Sequence, residues 1–187
     1  MHFKESMTFL KRFANSPRRI GSVAPSSKFL TKAMLDTVDW EQANYIAELG
    51  AGTGVFTREI VKRAKPTAKI LVFEIDPALQ KLIRDEHPEH SGLILHSDAQ
   101  ELNRYMAENG IEQIDFVISS LPFTVLPHKM TIRVLNAVIK SLKPGGHFVA
   151  YQYSSIMKHV LQKKFSHIKT RFVAFNIPPA FVYDCWR

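Results

Sequence analysis

Tyr45-Ile46-Ala47-Glu48-Leu49-Gly50-Ala51-Gly52-Thr53-Gly54 is a short apolar run that ends at an acid and breaks into three alternating glycines. Val55-Phe56-Thr57-Arg58-Glu59-Ile60-Val61 then resumes with helical spacing, so the stretch predicts strand, tight turn and helix. Glycines there let the backbone turn sharply and approach a ligand with no Cβ in the way. Further on, a second apolar run, Lys69-Ile70-Leu71-Val72-Phe73, ends in Glu74. An acid at the tip of the second strand is placed to accept both hydroxyls of a ribose. Turn and acid together point to an adenosine-containing ligand. The turn alone also fits a purely structural βα connection or a nicotinamide oxidoreductase. Its spacing, however, is Gly-x-Gly-x-Gly rather than the Gly-x-Gly-x-x-Gly of dinucleotide folds.

Outward from this stretch, strands and helices alternate. Strands are expected near 45–49, 69–73, 92–96, 114–118 and 146–152, and helices near 54–64, 77–86, 99–108, 128–141 and 155–164. Such alternation predicts a parallel, doubly wound α/β sheet. Lys143-Pro144-Gly145-Gly146 reads as the turn into the fifth strand. Lys169-Thr170-Arg171-Phe172-Val173-Ala174-Phe175 and Phe181-Val182-Tyr183-Asp184-Cys185-Trp186 read as two closing strands around Pro178-Pro179. Ahead of the sheet, residues 3–14 place Phe3, Met7, Leu10 and Ala14 on one helical face with Phe9 and Phe13 beside them. Lys4, Lys11 and Arg12 crowd the other. That composition suits an interfacial helix and equally a helix packed on its own domain. Ser26 or Ser27 is placed to cap a helix near 28–37. The division expected is 1–40, an N-terminal basic segment of helix, loop and helix, and 41–187, a catalytic domain, within one compact unit.

The 187 residues are long enough for one domain with a proper core. No apolar stretch reaches the roughly 18 residues a spanning helix needs, and the N-terminus lacks the apolar region of a secretory signal. A single cysteine, Cys185, excludes a disulfide framework and a cysteine metal cluster, and the eight histidines show no ligand spacing, so no metal is expected. A cytoplasmic protein is the expectation. The net charge of +8 is concentrated at the two ends. Residues 1–32 hold seven Lys/Arg against Glu5 alone, and residues 158–187 hold six against Asp184 alone. Basic ends on a neutral-to-acidic body suggest an anionic partner, a lipid surface or nucleic acid, although solvated charge also serves solubility.

In a doubly wound sheet, ligands sit at the carboxyl ends of the strands. Four sites fall there: the Gly50–Gly54 turn, Glu74, Asp98 after Leu93-Ile94-Leu95, and Ser119-Ser120-Leu121-Pro122-Phe123 after Phe116-Val117-Ile118. Asp98 is placed to cap the next helix or to accept from an adenine amino group, and one side chain can do both.

Glu48-Leu49-Gly50-Ala51-Gly52-Thr53-Gly54 resembles motif I of class I S-adenosylmethionine-dependent methyltransferases. The resemblance implies a Rossmann-like sheet of seven mostly parallel strands with helices on both faces, preceded by N-terminal helices. It also implies S-adenosylmethionine as cofactor and S-adenosylhomocysteine as product. The contacts it implies are Glu48, Gly50, Ala51, Gly52, Thr53 and Gly54 at the amino-acid part, Glu74 and Ile75 at the ribose, Asp98 and Ala99 at the adenine, and Ser119. Leu121-Pro122-Phe123 is shared with ribosomal RNA adenine dimethylases, but those carry Asn or Asp, whose carbonyl accepts from the adenine amino group, where this chain has Ser120.

Over nearly its whole length the chain is similar to the soluble bacterial phospholipid N-methyltransferases that act on phosphatidylethanolamine. The matching pieces are Gly21-Ser22-Val23-Ala24-Pro25-Ser26-Ser27, Ser119-Ser120-Leu121-Pro122, Lys143-Pro144-Gly145-Gly146, Gln152-Tyr153 and Asn176-Ile177-Pro178-Pro179-Ala180-Phe181-Val182-Tyr183. Tyr153-Ser154-Ser155 departs from the Thr-Tyr-Gly-like run expected there. This resemblance implies cofactor contacts from Pro25 and Ser26, an amine head group entering beside Ser120, Leu121 and Pro122, and orientation by Tyr153 and Tyr183. It further implies peripheral attachment to the inner face of the membrane through residues 1–20. The alternatives left open are an rRNA adenine N6-methyltransferase and a small-molecule methyltransferase.

Overall fold

The computed structural model describes residues 27–187. The helix expected at 3–14, Pro25, Ser26 and the membrane contact expected from residues 1–20 lie outside the described residues. Helix α1 (Lys28–Leu35) is followed by β1 (Tyr45–Leu49), α2 (Val55–Arg63), β2 (Lys69–Phe73), α3 (Pro77–Glu86) and β3 (Leu93–His96). A 3-10 turn (Ala99–Glu101) then leads into α4 (Leu102–Glu108), β4 (Ile114–Ser119), α5 (His128–Ser141) and β5 (Leu142–Gln152). The chain closes with α6 (Met157–Gln162), β6 (His167–Val173) and β7 (Ala180–Trp186).

The seven strands form one sheet in the order β3-β2-β1-β4-β5-β7-β6. Strands β1 to β5 pair in parallel, and β7 runs antiparallel between β5 and β6. Of the two closing strands, β7 is therefore interior and β6 is the edge. The chain winds outward from β1 to β3 and returns at β4, which puts the reversal of strand order between β1 and β4, where such sheets hold ligands.

The parallel strands are apolar on both faces because helices cover both. Leu49, Leu71, Phe73, Val117 and Phe148 pack with the helices α4, α5 and α6. Ile46, Ile70, Val72, Ile118 and Val149 pack with α1, α2 and α3. Helix α1 is capped by the Ser27 hydroxyl, which accepts from the Leu30 amide at 3.2 Å. It buries Leu30, Met34 and Leu35 in that second core. A boundary at 40 thus passes between α1 and β1, although α1 belongs to the same packed core.

Strand β5 begins at Leu142, one residue before the run expected to be a turn, and takes that run in. Its pairing with β4 slips between Ile114 and Phe116, and this irregularity keeps Pro144 and Gly145 at the sheet margin. At that amino end, Asp115 accepts from the amides of Asn44 and Tyr45, each at 2.8 Å, and pairs with Lys143. Burial acts to raise the Asp115 pKa, but the Lys143 ammonium and the two amides outweigh it and hold the carboxyl below its ordinary value. This carboxylate ties β1, β4 and β5 together at the end remote from the glycine turn. No helix among the described residues is long and apolar enough to cross a membrane.

Candidate active site

The Gly50–Gly54 turn is clamped from both sides. Gly50 and Ala51 donate to the Phe73 carbonyl at the tip of β2, at 2.8 and 3.2 Å, and the Ser120 amide donates to the Leu49 carbonyl at 2.9 Å. Gly50 and Gly52 have φ of +78° and +57°. A Cβ on Gly50 would lie 2.9 Å from Leu121 Cδ2, whereas one on Gly52 would meet nothing within 4 Å. Gly50 is thus glycine for lack of room and for backbone conformation together, and Gly52 for conformation beneath an open space. Gly50→Ala is expected to destabilise the protein by about 1–2 kcal/mol through its left-handed backbone and to weaken S-adenosylhomocysteine binding by displacing Leu121. Thermal unfolding and calorimetric titration check this, and a variant matching the parent in both would count against the clamp.

Three acids stand at the tips of adjacent strands. Glu48 is fully buried near the end of β1. Its Oε2 accepts from the Thr57 hydroxyl of α2 at 2.7 Å, and its Oε1 has no partner among the described residues. Burial pushes its pKa up to about 7, with the Glu74 charge adding and the Thr57 hydrogen bond opposing. Glu74, also buried, accepts from the Gly52 amide at 2.8 Å through Oε2 and from the Asp76 amide at 2.9 Å through Oε1. Its carboxylate is oriented by the turn it faces. Asp98 caps the 3-10 turn by accepting from the Gln100 amide at 2.9 Å. Gln80 on α3 donates to the Glu74 carbonyl and, at 3.1 Å, to the Ser97 hydroxyl, which staples the β2 and β3 tips together.

At the tip of β4, the Ser119 hydroxyl accepts from the Leu121 amide at 3.3 Å and is buried. The Ser120 hydroxyl oxygen is buried with no partner among the described residues. Gln152, the last residue of β5, is also buried and donates to the Leu121 carbonyl at 2.9 Å, fixing the Ser120-Leu121-Pro122 segment against the sheet. Tyr153 is exposed just beyond it, its ring edge-on to Tyr151. Tyr183 is placed differently from the expectation that it orients a substrate. It is fully buried in β7, and its hydroxyl donates to the Ser154 carbonyl at 3.3 Å. Burial raises its pKa. Its hydroxyl supports the turn after β5.

The structure therefore brings Glu48, the glycine turn, Glu74, Ile75, Asp98, Ala99 and Ser119 to Pro122 to one edge of the sheet. The partnering of Thr57 with Glu48 and of Gln152 with Leu121 was not legible as a role. The only signal was a polar residue closing an otherwise apolar run. The edge fits an adenosine carrying a charged amino-acid tail. The space over Gly52 is open, Glu74 and Asp98 each keep lone pairs for hydroxyl or amino donors, and the orphaned Glu48 oxygen lies under the turn.

Known proteins agree. The family described as "Methyltransferase domain" matches residues 46–146. Ornithine lipid N-methyltransferase of Singulisphaera acidiphila is 31% identical over 184 residues, covering 97% of this chain and 96% of that protein. A probable ribosomal RNA small subunit methyltransferase A of Methanosarcina mazei is 30% identical over 54% of this chain and 38% of its own length. Among solved structures, precorrin-6y C5,15-methyltransferase from Geobacter metallireducens superposes with TM-score 0.65 at 16% identity, over 84% of this chain and 87% of that one. Human methyltransferase-like protein 13 in complex with SAH gives 0.63 at 16%, over 83% and 81%. At such identities the likeness to the solved structures is one of fold. The whole-length relative, the matched family and the site at the β1–β4 reversal place this chain among the class I S-adenosylmethionine-dependent methyltransferases.

Proposed function

We propose that the enzyme methylates the primary amine of a membrane aminolipid head group, with phosphatidylethanolamine and ornithine lipid as the two candidate acceptors. The observation that carries this reading is the near-complete alignment with a relative named for N-methylating ornithine lipid. The acceptor segment is compatible with it. Ser120 offers a buried hydroxyl without a partner among the described residues where adenine methyltransferases use an amide or carboxylate oxygen, so an aliphatic amine suits the site better than a flat aminopurine.

S-adenosylmethionine supplies an electrophilic methyl on a sulfonium, which is lost to the incoming nitrogen in line as the S–C bond breaks. The protein's part is positioning and exclusion of water. The turn amides and Glu48 would hold the amino-acid tail, Glu74 the ribose hydroxyls, and Asp98 with the Ala99 amide the adenine. Ser119 and Ser120 would face the methyl, with Leu121 and Pro122 walling out water. The amine is mostly protonated near neutral pH and must release a proton before its lone pair attacks. Tyr153, exposed at the rim, is placed to orient the head group as that proton passes to water or to an anionic group of the lipid.

The test offers labelled methyl on the cofactor side by side to phosphatidylethanolamine vesicles, ornithine lipid vesicles and total RNA. Label in either lipid is the expected result and names the head group. Label in RNA, or in none of the three, overturns the reading.

A further inference from the structure

The β7–β5 pairing sets Phe181 opposite Gln152, and β6–β7 pairing sets Val173 opposite Ala180. The connection over 174–179 therefore lies at the carboxyl end of β5, on the same edge as the glycine turn. It stands two strands from the acceptor segment of β4, about 10 Å at ordinary strand spacing. This edge collects exposed apolar side chains. Phe175 and Ile177 are 76% and 78% exposed, and Phe29, Tyr153, Ile156 and Phe172 are exposed as well. The rings of Phe29 and Phe175 lie 5.3 Å apart, so the start of α1 and the β6–β7 connection form one patch. The Ser27 amide donating to Asn176 Oδ1 at 3.1 Å, and Asn176 Nδ2 donating to the Pro178 carbonyl at 2.7 Å, hold that patch in shape.

The charge around the patch has one sign. Residues 151–183 contain no Asp or Glu, and their cations include Lys158 and, on β6, Lys169 and Arg171. Lys158, Lys169 and Arg171 are exposed, as is Lys28 beside Phe29. Grouped aromatic and aliphatic side chains ringed by cations are the composition of a surface that enters the boundary of an anionic bilayer. Nucleic acid would use the cations and the rings, but Ile156 and Ile177 give it neither a stacking face nor a hydrogen bond.

We infer that the β6–β7 connection and the start of α1 form a bilayer-docking edge, which seats Phe175 and Ile177 among acyl chains of an anionic membrane and holds the active-site opening at the head-group level. This rests on the lipid reading for its purpose but is tested apart from it. The two native tryptophans, Trp40 before β1 and Trp186 at the end of β7, sit at the opposite end of the sheet. A Phe175→Trp reporter in the full chain is therefore read against a quiet background.

With vesicles of phosphatidylglycerol and phosphatidylethanolamine brominated along the acyl chains, the reporter is expected to shift to the blue and to be quenched beyond the parent protein. In the otherwise native chain, the double substitution Phe175→Asp, Ile177→Asp is expected to weaken partition into such vesicles about tenfold, leaving S-adenosylhomocysteine binding unchanged. A reporter that vesicles leave unquenched overturns the docking edge even if lipid is methylated. A reporter that responds to RNA and not to vesicles overturns it in favour of a nucleic-acid face. Quenching by lipid together with methyl transfer to RNA or to nothing would keep the docking edge and remove the lipid-acceptor reading.

Discussion

Glu74→Ala is expected to lower the affinity for S-adenosylhomocysteine at least a hundredfold and to abolish methyl transfer. A carboxylate has about four lone-pair positions, and in this structure the Gly52 and Asp76 amides fill one on each oxygen. That leaves two, which would accept from the two ribose hydroxyls. Hydrogen bonds to a charged acceptor are worth about 1.5–3 kcal/mol each, so losing both costs on the order of a hundredfold or more at 1.4 kcal/mol per tenfold. The same substitution orphans the Gly52 amide and loosens the turn, so a second measurement separates ribose binding from turn geometry. The 2′-deoxy cofactor product should bind the parent more weakly than the ribose form does. The alanine variant should bind both alike. If Glu74→Ala stays within threefold of the parent by calorimetry, or still discriminates the deoxy compound, the ribose assignment falls.

The parts of this site legible in the sequence are those written in local pattern. Strand, glycine turn and helix over 45–61 follow from period and from three positions whose left-handed backbone favours glycine. The tips of β2, β3 and β4 follow from apolar runs that stop at an acid or a serine. What was not legible depends on register and on burial at a distance. Gln152 reaches the Leu121 carbonyl only because β4 and β5 pair as they do, with Ile118 opposite Val149 and Ser119 opposite Ala150. Tyr183 looks like a rim residue in the tail sequence. Because β7 enters between β5 and β6, however, it becomes fully buried. The Lys143-Pro144-Gly145-Gly146 run carries turn chemistry, yet it lies within β5 as the irregularity in the pairing with Ile114 and Phe116. The aromatic residues near 175 read as strand, and only the hairpin's position at the site edge shows that they face outward.

Glu48→Gln is expected to stabilise the cofactor-free protein above pH 7 while weakening the enzyme's grip on its cofactor. Burial raises the Glu48 pKa from 4.5 to about 7, and the negative charge of Glu74 pushes the same way. Between those two values the folded chain keeps a proton that the unfolded chain has already released. Stability therefore falls as pH rises through this window and is fully present only below it. At 1.36 kcal/mol per unit of pKa the fall amounts to about 3 kcal/mol by pH 8. Glutamine keeps the Thr57 hydrogen bond as acceptor and does not ionise, so its unfolding free energy should be nearly flat over the same range. It should match the parent near pH 4 and exceed it by about 3 kcal/mol at pH 8. The ionised form that burial penalises is the one a cationic amino-acid tail over the turn would favour. Parent affinity for the cofactor should accordingly rise from pH 5 to pH 8 with proton release, whereas the glutamine variant binds weakly and without that slope. Denaturant titrations at several pH values, with calorimetry in two buffers of different ionisation enthalpy, read both effects. Parallel stability curves for the two proteins would show that Glu48 is ionised at no such cost, and the cofactor would then gain nothing from relieving it. A strained carboxylate under the turn makes binding and folding compete at one side chain, and selection for methyl transfer would keep it there in spite of its cost to the empty protein.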